Sequence, residues 1–310
     1  MKFRFLLLAL TLMLAVPQGA AAANSKIRFG ILPVLDTLPL QVAKAEKLFE
    51  KNAIEVELIP FSSALERDTA LKAGQLDGFF GDLVATFMLI DKGAPMLIAT
   101  TSYSTTPGQP MFGIVSSPEE SGKGLSNLEG ASIAISRSTI IEFLLDKIME
   151  RNELPKDYFN RVEIKKIPIR LQMLLSDEID LALLPEPLMS LTRFKGGCIV
   201  VTAENLGIPL TVLNLHRRYF EGKGKDYMRF MSAYVEALEM LKKNPETYRD
   251  LMAKTCRIPP PLAKDFPIYS FPMPSLPSAE QLNEVQDWMI GHELLEKRIP
   301  RDWAVSPIAP

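Results

Sequence analysis

Apolar positions near the start of the chain change period in an ordered way. Residues 27–32 read as a largely apolar strand, after which Leu38, Val42, Ala45 and Phe49 recur at helical spacing. Pro39 falls in the first turn of that helix, where proline is tolerated. Residues 54–60 alternate as a strand, and Ser63 with Glu66 has the spacing of a capping box opening a helix that runs to Ala73. A short strand at 78–81, a helix at 83–91 and a strand at 96–101 complete the unit. Strand, helix, strand, helix, strand predicts a parallel sheet covered on both faces.

The plan then repeats: strand 131–136, helix 139–151, strand 162–167, helix 171–175, strand 181–184. LKAGQLDGFF (71–80) aligns without a gap on LLSDEIDLAL (174–183), and the same shift sets Leu32 on Ile135 and the Asp36 turn on Thr139. Two lobes on one plan are the economical explanation. Two β-prone segments, PMFGIVSS (110–117) and IPLTVLNL (208–215), run between them as hinge strands would. The expected boundaries are 24–113 with 212–310 for the first lobe and 114–211 for the second. Beyond them, residues 227–243 carry Phe230, Tyr234, Ala237 and Met240 on one helical face. The stretch 257–277 is proline-rich and predicts a rigid loop. A last helix at 278–296 carries Leu282, Val285, Trp288 and Met289, and these C-terminal helices are expected on the first lobe.

Composition narrows the classes. With 310 residues, two lobes are expected at about 100–200 residues per domain. A formal charge of -2 and the lack of a basic cluster argue against nucleic acid. Lys2 and Arg4, the apolar run Phe5 to Val16 and small residues Ala20 to Ala23 form the three-part pattern of a secretory leader, expected to end after Ala22 or Ala23. Cys198 and Cys256 lie far from that site, so no lipid-anchor cysteine is indicated, and the mature chain is expected in the periplasm. In an oxidising compartment the two cysteines either pair or stay as inert thiols. His216 and His292 have no further ligand at metal spacing, so neither a metal nor a cofactor is expected.

The leader, LPVLDTLPLQVAKAEKLFEKNAIEVELIPF, LKAGQLDGFFGDLVATFMLIDKGAP and DLALLPEPL together resemble the type II periplasmic solute-binding proteins of ABC importers. The branch they resemble holds the nitrate, sulfonate, taurine and thiamine-pyrimidine-precursor receptors. The resemblance spans essentially the whole mature chain and is least specific after Leu215. It implies an α/β fold of two lobes, each a mainly parallel sheet flanked by helices, joined by two hinge strands. It also implies a monomeric receptor that closes around a small molecule and delivers it to ABC permease subunits driven by a cytoplasmic ATPase.

In open α/β sheets a ligand lies beyond the carboxyl ends of the strands, where helix N-termini offer free N–H groups. Three turns fit. Asp36 and Thr37 either cap the following helix or reach the ligand, with Asp36 suited to a donor-rich or cationic group. Ser138 and Thr139 cap the equivalent helix of the second lobe or receive an anion, and Arg137 either clamps an acid group or points into solvent. Asp82 and Glu186 stand at the ends of two strands, as helix-start acids or as ligand contacts. Phe61, Ser62, Ser102 and Tyr103 are lesser candidates at strand ends.

No nucleotide-binding glycine loop, zincin motif or nucleophile elbow is present, which favours a receptor over an exported enzyme; a ligand-sensing subunit on the same fold is the other alternative. Three acids beside Arg137 suit a nitrogen heterocycle or an amphoteric metabolite better than a sulfonate or carboxylate alone.

Overall fold

The computed structural model describes residues 26–310, and the expected leader, residues 1–23, lies outside the described residues. Among the described residues ten strands form two five-stranded sheets. The first contains β1 (Lys26–Ile31), β2 (Glu55–Pro60), β3 (Gly78–Gly81), β4 (Met96–Ser104) and, from much later in the chain, β10 (Pro209–His216), in the order β2-β1-β3-β10-β4. The second contains β5 (Phe112–Ser116), β6 (Ser132–Ile135), β7 (Asn160–Glu163), β8 (Leu181–Pro185) and β9 (Ile199–Thr202), in the order β7-β6-β8-β5-β9.

The two orders are the same plan. Each sheet is parallel except for its fourth member: β10 runs antiparallel to β3 and β4, and β5 antiparallel to β8 and β9. The two segments expected as hinge strands are thus full members of the sheets, and the chain crosses between lobes just before each, in residues 105–111 and 203–208. The strand β9, a short β-branched run after two glycines, was not among the predicted elements.

Helices fill both faces, as a parallel sheet requires. The Lys225–Lys243 helix buries Tyr227, Phe230, Tyr234 and Ala237 against the helices Leu38–Ala45 and Leu48–Lys51 of the first lobe. There the Phe230 ring lies between Phe29 at 5.4 Å and Phe49 at 5.7 Å. The tail returns to the same lobe, where the Ser306 amide donates to the Ile98 carbonyl at 2.9 Å. One C-terminal helix does more than cover the first lobe. Ala279–Gly291, opened by a Ser278–Gln281 capping box, packs on Leu83–Asp91 and also reaches the second lobe. Trp288 Nε1 donates to Asp146 at 2.8 Å, and Lys147 pairs with Glu284 at 2.8 Å. Cys198 and Cys256 are both free thiols.

Because Phe230 is wholly buried and flanked by two rings, Phe230→Ala should lower stability by about 3–5 kcal/mol. Urea unfolding followed by circular dichroism measures this; a loss below about 1 kcal/mol would show that the aromatic stack does not hold the helix.

Candidate functional site

The carboxyl ends of β1, β3, β6 and β8 converge on one cavity between the lobes. Its volume is about 60 Å³. Asp36, Arg67 and Asp82 line it from the first lobe, and Thr139, Ile140 and Arg170 from the second. The lobes touch around it: the Leu35 amide donates to the Glu186 carbonyl at 3.4 Å, and Lys166 pairs with Glu66 at 3.3 Å.

The Asp36 turn divides its two polar side chains. Thr37 turns back to donate to the Val34 carbonyl at 2.7 Å, and neither residue caps the helix by its side chain. Asp36 is 1% exposed; its Oδ2 accepts from Thr211 Oγ1 at 2.8 Å, while Oδ1 has no hydrogen-bond partner among the described residues. Burial pushes this carboxyl up to about 7, against the opposing pull of the Thr211 hydroxyl. Ser102 supports the turn by donating to the Asp36 carbonyl at 3.3 Å rather than by reaching the cavity. Beside it on β4, Tyr103 is buried, its hydroxyl without a hydrogen-bond partner among the described residues, and meets Phe271 edge-on at 5.9 Å.

In the second turn, Thr139 lines the cavity and also caps its helix, accepting from the Ile141 amide at 3.2 Å. Ser138 adopts the left-handed conformation with φ 57, and its amide donates to Glu142 at 2.8 Å. Arg137 is half exposed and leans on the same glutamate at 3.4 Å, so Arg137 and Ser138 face a neighbouring surface groove, not the cavity.

The strand-end acids also separate. Asp82 caps the Leu83–Asp91 helix through the Ala85 amide at 2.8 Å and lines the cavity; burial raises its pKa, opposed by the amides of Ala85 and Ile140. Glu186 is buried outside the cavity, where its carboxylate accepts from the Ser190 amide at 3.1 Å and hydroxyl at 2.8 Å. Burial pushes it too up to about 7, with those bonds acting the other way. Phe61 packs in a satellite apolar cluster, and the Ser62 amide donates to Glu66 at 3.1 Å.

Two arginines absent from the sequence-based candidates sit in the cavity wall. Arg67 is 1% and Arg170 0% exposed, and each donates Nη1 to the carbonyl of the neighbouring strand, Phe80 at 2.7 Å and Leu183 at 3.2 Å. The internal alignment places Arg67 on Arg170 and Phe80 on Leu183, a signal already present in the sequence. Burial pulls the Arg170 guanidinium down to about 10. Among the described residues no group of three or more His, Cys, Asp or Glu could hold a metal.

Asp36 binds a proton more tightly folded than unfolded, because its folded value is raised above that of an exposed aspartate. The folded state therefore holds the extra proton between about pH 4 and 7, and stability falls as pH rises through that window, by at most about 1.4 kcal/mol per pH unit for this group. Asp36→Asn should flatten part of this slope in urea melts taken from pH 4 to 8; an unchanged slope would place the titration elsewhere.

Comparison with solved structures finds the same fold at low identity. A ligand-binding component of an ABC-type import system from Staphylococcus aureus, with zinc bound, is 17% identical, with a TM-score of 0.76 over 92% of this chain and 97% of that one. The periplasmic aliphatic sulphonate-binding protein SsuA of Escherichia coli is 17% identical, with a TM-score of 0.75 over 92% of this chain and 98% of that one. The desulfurization enzyme DszB is also similar, at 15% identity and a TM-score of 0.65 over 92% of this chain and 97% of that one. No curated protein matches the chain. The profile of the NMT1-like family matches residues 20–257, most of the chain, and the protein belongs to that family.

Proposed function

We propose that the protein is an extracytoplasmic solute receptor that encloses a small molecule between its lobes and presents the closed form to an ABC permease with its cytoplasmic ATPase. One observation carries the reading: a small cavity at the carboxyl ends of both sheets is walled by residues of both lobes and bridged by bonds between them. In such an arrangement a ligand that touches both lobes favours closure by the difference in its affinity for the two states. Solute-binding proteins among the structures of similar fold support the same reading. No helix among the described residues is long and apolar enough to cross a membrane.

A second reading, enzyme, has the fold of DszB in its favour. The cavity itself supports binding over chemistry. No histidine or cysteine lines it among the described residues, and of the hydroxyls that line it Thr211 donates to Asp36 and Thr139 to the Ser136 carbonyl, while Asp82 accepts from a backbone amide.

Native mass spectrometry of the purified chain, paired with small-angle scattering before and after dialysis, tests the receptor. A copurifying small molecule whose removal expands the particle is the expected result. A chain whose mass, shape and melting temperature ignore a broad panel of acids, amines, sugars and heterocycles would overturn it.

A further inference from the structure

The two buried arginines occupy equivalent places, yet among the described residues only one has a counter-ion. In the first lobe, Asp68 follows Arg67 and accepts from its Nε at 2.9 Å and its Nη2 at 2.7 Å. In the second, the aligned residue is Leu171, and the Ile164 carbonyl takes the place of the carboxylate, accepting from Arg170 Nε at 3.1 Å and Nη2 at 2.7 Å. Among the described residues Arg170 makes no ion pair, and its guanidinium has more N–H groups than these carbonyls occupy. A buried cation without a counter-charge is unfavourable, and an anion arriving at it is correspondingly well bound. Across the cavity the first lobe holds the converse: Asp36 Oδ1, buried and without a donor.

We propose that the cavity takes a compact amphoteric solute, its carboxylate, sulfonate or phosphonate paired with Arg170 and its amino or ring N–H group donating to Asp36 Oδ1. This rests on the receptor reading and assigns its ligand class. Each end of such a molecule satisfies one group that the protein leaves unsatisfied, and the two ends belong to different lobes. A simple anion leaves Asp36 without a donor, and a simple amine leaves Arg170 without a counter-charge. The cavity is small, about 60 Å³, which suits a compact solute.

Calorimetric titration of the full chain with amino carboxylates, aminosulfonates and aminophosphonates of two- and three-carbon spacing tests this, with propionate, ethanesulfonate and propylamine as single-ended probes. At least one amphoteric probe should bind about tenfold or more tighter than every single-ended probe, the difference expected for one charge-assisted bond. Arg170→Gln and Leu171→Asp should each weaken it at least tenfold, the second by giving Arg170 the internal partner that Arg67 already has. Asp36→Asn should weaken it while leaving ethanesulfonate unchanged, and melting curves of each variant report folding separately. If no amphoteric probe exceeds its single-ended counterparts, or if Leu171→Asp and Asp36→Asn both leave its affinity unchanged, the ligand class is wrong, while binding of any other solute leaves the receptor standing. Silence from every probe and from the broad panel above would remove both.

Discussion

The first sheet cannot be completed by the stretch of chain that builds the rest of it. Buried strands leave no peptide group unpaired, so the gap between β3 and β4 must be filled, and β10, delivered after the whole second lobe, fills it. In the second sheet β5, the first strand after the crossing, fills the same position between β8 and β9. Close strand approach is met by glycine on both sides: a Cβ on Gly78 would stand 2.7 Å from the Asn214 carbonyl oxygen, and one on Gly113 would stand 2.7 Å from that of Val201. From the return of β10 follow the two short crossings, one on each side of the second lobe, and the carboxyl ends of both sheets meet at one cavity.

Around that cavity, burial alone does not tell a self-contained acid from one left incomplete. Asp36 and Glu186 are both pushed up to about 7 by the same loss of water. What separates them is completion: both Glu186 oxygens accept from Ser190, whereas one Asp36 oxygen accepts from Thr211 and the other has no donor among the described residues. A buried acceptor without a donor is a cost the fold carries by itself, and a ligand can relieve it. Glu186 has nothing left to gain.

Most elements were legible because helical and strand periods leave different marks in an apolar pattern. The predicted helix 83–91 is the observed Leu83–Asp91, and the two-lobed plan emerged from one ungapped internal alignment. Sheet order was less legible, since PMFGIVSS and IPLTVLNL are strand-like without stating which sheet they enter. At the site, residue type misled where orientation decides. Arg137 follows a strand end as a ligand clamp would, but the left-handed Ser138 and the Glu142 carboxylate hold that turn toward the surface groove. Arg170 sits inside a helix, where an arginine ordinarily reads as a solvated face, and only its alignment with Arg67 marks it as something else.

That alignment carries a further consequence. Arg67 and Arg170 do the same structural work: each ties its helix to the adjacent strand through a backbone carbonyl. The second lobe folds around this device with carbonyl oxygens alone, so Asp68 is not needed for the tie itself; what it adds in the first lobe is charge balance. The lobes therefore share a scaffold and differ in electrostatics, one presenting a neutral arginine–aspartate pair together with Asp36, the other an unbalanced cation. A symmetrical pair of lobes would offer a solute the same chemistry from both sides. Substitution at one aligned position, with Asp36 set on the opposite wall, is enough to give the cavity two ends of opposite preference without altering either sheet.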